Sequence, residues 1–374
     1  MLTRGSRLRQ NPAMKLARSD VRLFSLCAIA VIFAGIFRFV AAGDIVPFVV
    51  AAAALALLAM LVGRSVEALG DRLGPGATGV LQSGLGNLPE LFVSIFALRA
   101  GLTTVVQGAI VGSILGNVLM ILGLAFVVGG VKFGPQHFGA EQGRMVSLLL
   151  VLGVAALCIP SLTSSLHTPA AGHEQALSNV VAIALLVIFG LSLPASLQKQ
   201  PGTAGAGTDA SHSAAAIEHT NLWPMSMAIG MLALSGLGAA FVSEWFVHAL
   251  EPAIKALGIS EAFAGLVIVA IAGNAIENVV GIQLAAKNQP DYAVSVILQS
   301  PLQVVLVLAP TLVLLSQWIA PVGLTLVFPP LLLAAMILAT IITVVVMLDG
   351  ESTWLEGSAL LALYVVIATA FWWG

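Results

Sequence analysis

Two stretches of this chain carry residue types and spacings that can do chemistry: Gly86-Asn87-Leu88-Pro89-Glu90 and Gly273-Asn274-Ala275-Ile276-Glu277. Each sets an amide side chain three residues before a carboxylate, inside an apolar run. On a helix that spacing places both groups on one face. Ser94 and Ser83 extend the first stripe, and Asn278 lies beside Glu277 in the second. An ionised carboxylate deep in hydrocarbon costs several kcal/mol without a partner, so an intramembrane Glu is a functional candidate. A lone Asn or Ser there is ordinary interhelical glue; the repetition of the Asn-Glu pair argues for more. Carboxylate, amide oxygen and freed backbone carbonyl are the ligands a hard cation such as Ca2+ takes. Pro89, Gly86 and Gly273 are expected to break the helices there. A proline removes a backbone donor and crowds the carbonyl four residues back, and glycine loosens the turn.

The elements that must hold these groups are membrane helices. Of 374 residues, 59% are hydrophobic and only 9% are charged, against about a quarter charged in soluble proteins. The apolar runs are long enough to cross the roughly 30 Å hydrocarbon core. They predict an all-α polytopic membrane protein with eleven spans, near 22–42, 45–63, 77–98, 103–129, 145–162, 176–195, 223–247, 260–286, 291–316, 321–348 and 356–373. The segment 196–222, rich in Gly, Ala, Ser and Thr, reads as a linker. If the N-terminus is cytoplasmic, twelve Lys and Arg fall on the inner side. Arg99 and Lys255 fall on the outer side, with Arg38 near the outer end of the first span. That asymmetry is the positive-inside pattern. Cys27 and Cys158 both lie in apolar runs and make no disulfide framework.

The chain also repeats. Glu67 and Glu251 each precede a Gly by seven residues, and a Gly-Asn-x-x-Glu follows in the next span. Then GSILGN (112–117) stands opposite QSPLQV (299–304). Spans 2–6 thus pair with spans 7–11. Five spans is an odd number, so the second copy runs through the membrane inverted, as in many secondary transporters. The expected organisation is 1–44, a basic N-terminus and first helix; 45–195, the first five-helix repeat; 196–222, a cytoplasmic linker; and 223–374, the second repeat. Gly108, Gly112 and Gly116, four apart, would let span 4 pack closely on a neighbour.

GNLPELFVSIFALRAG followed by VVQGAIVGSILGNVLMILGLAFVVGG resembles the first repeat of the cation/proton exchangers of the Ca2+:cation antiporter superfamily. LGISEAFAGLVIVAIAGNAIENV and LQSPLQVVLVLAP resemble the second. The resemblance covers nearly the whole chain from span 2 onward. It implies ten core helices in two inverted repeats plus an N-terminal helix. It also implies that Glu90 and Glu277 bind Ca2+, with Asn87, Asn274, Ser113, Asn117, Ser300 and Gln303 lining the site. This chain departs from the family pattern with Leu88-Pro89 in the first motif, with Asn278 where a His is usual, and with Pro301 in span 9.

Two close carboxylates in a low-dielectric site repel, and desolvation adds to the cost of charging them, so an empty site favours protons. Ca2+ favours the ionised pair. Competition for the same oxygens would make an antiporter exchanging Ca2+ for H+ by alternating access. Ca2+ is then a transported substrate rather than a cofactor. An Na+/Ca2+ exchanger, an Na+(K+)/H+ antiporter and, more distantly, a cation channel remain alternatives. Glu67, Glu251 and Asn278 are candidates for gating or a proton pathway, although Glu67 and Glu251 near span ends equally suit salt bridges, Glu251 with Lys255. No His-Glu-x-x-His and no P-loop is present, which excludes a zinc protease and a nucleotide-driven pump of those types. The expected setting is a cell (inner) membrane, with the bilayer and the two ions as partners, no nucleic acid and no readable oligomeric state.

Overall fold

A computed structural model describes residues 17–40, 43–73, 81–82, 84–197 and 223–373. Within these the side chains of residues 71, 140–145, 193–197 and 276–277 lie outside the description. Ser83, the Glu277 side chain and most of the expected linker therefore fall outside it.

The chain is helical almost throughout. The helices are α1 (Arg18–Phe39), α2 (Ile45–Leu73), α3 (Leu88–Arg99), α4 (Thr103–Phe133), α5 (Ala140–Ser165), α6 (Glu174–Leu197), α7 (Met225–Leu257), α8 (Glu261–Gly273), α9 (Ala275–Ala285), α10 (Pro290–Ile319), α11 (Pro330–Met347) and α12 (Trp354–Trp372). Among the described residues nine are long and apolar enough to span a membrane, and the bent pair α8–α9 makes a tenth. Helix α3 lies where the remaining expected span was placed. Helices α2 and α7 run about ten residues past the expected ends, to Leu73 and Leu257. Apolar content marks the lipid-buried part only; Arg64, Glu67 and Arg72, and likewise Glu251 and Lys255, ride on polar continuations of the same helices.

Contacts between the connections sort them onto two faces. On one, strands β1 (Gln136–His137) and β2 (Glu351–Ser352) pair antiparallel. There Lys132 Nζ donates to Ala286 O at 2.7 Å and Gln136 Nε2 to Asn288 Oδ1 at 2.9 Å. On the other, Gln107 Nε2 donates to Val327 O at 2.9 Å, Ser161 Oγ to Leu326 O at 2.8 Å, and Ser260 Oγ to Phe371 O. This is the sorting that alternating traverses require. Each element of α2–α6 thereby opposes its partner in α7–α12 in direction, which is the inverted-repeat arrangement.

Helix α1 is peripheral. Ile29, Ile32, Phe33 and Ile36 are exposed, while Asp20, Cys27 and Ala34 are buried. Its start is clamped by a charged cluster. Trp223 Nε1 donates to Asp20 Oδ2 at 2.8 Å, Arg64 pairs with Asp20 at 3.5 Å and with Glu67 at 2.7 Å, and the Arg64 guanidinium lies over the Trp223 ring.

Glycines set the closest helix approach. A Cβ on Gly112 would overlap the Leu266 backbone, and one on Gly265 would overlap Val105 O. Helices α4 and α8 therefore touch backbone to backbone, as small-residue packing permits. Gly108 belongs to this seam, with Ala262 O 2.7 Å from its would-be Cβ, but Gly116 does not: nothing lies within 4 Å of that position.

Candidate cation site

The site is built on two matching breaks. Asn87 (φ −92°, ψ 17°) and Asn274 (φ −96°, ψ 25°) leave helical geometry in the same way and precede α3 and α9. Asparagine at this position normally caps its own helix through the side chain. Neither does so here; both amides are turned outward to other partners. Glu90 and Glu277 occupy the third position of the new helices, where the positive end of the helix dipole favours a carboxylate. This eases the burial of Glu90, which is 3% exposed.

Pro89 falls at the second position of α3, so the break at Asn87 lies within the Leu85–Pro89 turn that the proline was expected to open. The break lies two residues before the proline, and the second repeat breaks identically with Ala275 and Ile276 in place of Leu88 and Pro89. Proline in a first helical turn removes a donor that has no intrahelical partner anyway. Gly86 and Gly273 do flank the breaks. A Cβ on Gly273 would overlap Glu90 Cγ and stand 3.0 Å from Oε1, so the Glu90 side chain lies directly on the Gly273 backbone.

Helices α4 and α10 carry the rest of the site, and both loosen beside it. A π-helical turn covers Gly116–Ile121, where Leu122 N donates five residues back to Asn117 O. Another covers Val304–Leu308, closed by Ala309 N to Val304 O. These turns fall at equivalent positions when GSILGN is set against QSPLQV. Such bulges re-aim side chains and recur at functional sites.

One buried network joins five of the eight expected lining residues, and two more form a buried pair of their own. Ser113 Oγ and Asn274 Nδ2 both donate to Glu90 Oε1. Ser300 Oγ donates to Asn274 Oδ1 at 3.0 Å, and Asn117 Nδ2 donates to Ser300 Oγ at 3.2 Å and to Ser113 O at 2.8 Å. Asn87 Nδ2 donates to Gln303 Oε1 at 3.2 Å. All seven side chains are buried. The eighth, Glu277, is placed by its backbone alone, one turn into α9. Every bond to Glu90 shown here is donated to it, as suits an anionic acceptor.

Glu67 and Glu251 stand apart from this network. Glu67 is paired with Arg64 at one end of α2, and Glu251 pairs with Lys255 at 2.7 Å in the open. Asn278, by contrast, lines a small cavity against Ser113, Asn117 and Asn274. Sequence reasoning did not find Met120, Ala270 and Ile271, which line that cavity together with Gly112 and Gly116, because apolar residues in an apolar helix carry no signal. Among the described residues no three His, Cys, Asp or Glu side chains form a metal cluster.

Two inverted helical repeats meeting at broken, polar helices define a secondary-transporter architecture. Residues 43–198 and 227–373 match the model of the sodium/calcium exchanger protein family, and the chain belongs to that family. It is 35% identical over 338 residues to a Ca(2+)/H(+) antiporter of Aphanothece halophytica, covering 87% of this chain and 89% of that protein. It is also 35% identical over 325 residues to the Ca(2+)/H(+) antiporter ChaA of Bacillus subtilis, covering 87% and 91%. The solved structure of native YfkE superposes with a TM-score of 0.78 at 32% identity, over 94% of this chain and 99% of that one. The H+/Ca2+ exchanger CAX shares the fold, with a TM-score of 0.72 at 14% identity.

Proposed function

We propose that this protein is a secondary transporter, not an enzyme, that exchanges Ca2+ for H+ across a cell (inner) membrane. The observation that carries the reading is the convergence of hydroxyl and amide groups on Glu90 where the two inverted repeats break. Relatives named Ca2+/H+ antiporters, similar over most of the chain, support the ion pair. Glu90 and Glu277 bind Ca2+ or protons in competition, and Asn87, Asn274, Ser113, Asn117, Ser300 and Gln303 line the site. Oxygen ligands with only two carboxylates suit an ion that must leave as well as bind, since transport requires affinity that is not too tight. The repeats, 45–195 and 223–374, rock about the site to give alternating access. The face carrying Lys132 is cytoplasmic, as is the N-terminus, because the Lys and Arg bias favours it.

Everted membrane vesicles with a calcium tracer and a pH dye test this. An imposed pH gradient drives Ca2+ uptake, and Glu90→Gln and Glu277→Gln each abolish it while the protein still reaches the membrane. Uptake that follows a Na+ gradient and ignores pH would refute the proton coupling. Full transport by either variant would refute the site.

A further inference from the structure

The two repeats match in backbone at the site but not in what lies beyond it on each face. From Ser113, α4 runs toward the face of Lys132, and from Asn274 the chain runs the same way through α9. The residues met in that direction are Gly116, Asn117, Met120 and Asn278, with a rise of about 1.5 Å each along a helix. They line one side of the cavity described above, which has room for about one water molecule; Gly112, Ala270 and Ile271 line its other side, level with or beyond Ser113 and Asn274. Gly116 leaves that space open, with no atom within 4 Å of a would-be Cβ. Asn117 is 1% exposed, and its Oδ1 accepts no hydrogen bond among the described residues.

The repeat relationship gives the matching positions toward the opposite face: Gln303 for Gly116, Val304 for Asn117, Val307 for Met120 and Leu91 for Asn278. There the glutamine side chain fills the place left open by the glycine and is held by Asn87. Its neighbours are apolar, and Val304 is fully buried. The approach to Glu90 past Gly116 is lined by Asn117 and Asn278; its counterpart carries Gln303, Val304 and Leu91.

We propose that the Gly116–Asn117–Asn278 cavity is the entry by which a hydrated cation or proton reaches Glu90 from the face of Lys132, and that the missing side chain at 116 keeps it passable. Asn117 Oδ1 and the Asn278 amide replace part of the hydration shell as the ion sheds water. This rests on the transport reading above, and the test separates the two.

Cys27 and Cys158 are first replaced by Ala, and exchange by that parent is compared with wild type. Gly116→Cys, Asn278→Cys and Val304→Cys are then treated with a membrane-impermeant thiol reagent from each face in turn. Cysteines at 116 and 278 should be labelled from the face of Lys132 only, with loss of labelling when Ca2+ is added; one at 304 should stay unlabelled. Labelling of 116 and 278 from the opposite face, or from neither, overturns the entry. Gly116→Gln, copying the other repeat, should lose Ca2+ uptake while remaining as heat-stable in detergent as its parent. Full uptake by a stable Gly116→Gln protein also overturns it. If the parent itself exchanges no Ca2+ for H+ yet labels as expected, the transport reading fails and the access route stands.

Discussion

Gly273→Ala puts the seat of Glu90 to a quantitative test. The added methyl would overlap Glu90 Cγ and approach Oε1 to 3.0 Å, which is closer than ordinary contact. Either the carboxylate swings away or α8 backs off. If the carboxylate moves, it leaves the Ser113 hydroxyl and the Asn274 amide behind. Hydrogen bonds to a charged group are worth about 1.5–3 kcal/mol each, so losing the preorganisation of both costs about 3 kcal/mol or more. At about 1.4 kcal/mol per decade that is roughly a hundredfold in Ca2+ affinity. If the helix yields instead, overpacking costs about 1–3 kcal/mol, and the effect nears tenfold. The half-saturating Ca2+ concentration for uptake in everted vesicles should therefore rise by between about ten- and a hundredfold, with expression retained. Gly230→Ala is the control: it lies on α7 with nothing within 4 Å and should leave the value unchanged. A Gly273→Ala protein with wild-type half-saturation would refute the claim that this glycine seats the carboxylate.

Ser113→Ala deletes one donor to Glu90 and should weaken Ca2+ by roughly tenfold, read by the same tracer titration. Acidifying the Ca2+ side should raise the half-saturating concentration, by about tenfold per pH unit for each proton that Ca2+ displaces; a flat profile would mean that no proton competes. Trp223→Phe keeps the ring but removes the donor to buried Asp20, at a cost of about 1–3 kcal/mol. Its melting temperature in detergent should fall while Ca2+ half-saturation holds.

The candidate site was legible because its motif is written twice. Gly-Asn-x-x-Glu, and the GSILGN and QSPLQV segments, recur in order, and burying a carboxylate needs partners that the sequence could name. The structure gathers five of those side chains into one hydrogen-bonded set and pairs two more, Asn87 with Gln303. What makes the break common to both repeats was not legible. Proline is the stronger breaker by propensity, yet Asn87 and Asn274 share one backbone geometry with a proline following only the first. The tie between Asp20, Arg64 and Trp223 was invisible as well, since it joins residues about 200 positions apart without periodicity to reveal it. Likewise, the glycine spacing 108-112-116 suggested one packing stripe, whereas the π turn that opens at Gly116 puts that residue beside a cavity.

The paired π turns bear on ancestry. A π turn holds one residue more than the α-helical turn it replaces. It is the trace of a single-residue insertion, and removing that residue would rotate everything beyond it by about 100°. A π turn at Gly116–Ile121 and again at Val304–Leu308, at equivalent places in two copies that now differ in most side chains, is what a half that already carried the insertion would leave after duplication. Two such halves had only to meet in opposite orientations for the re-aimed faces to confront each other.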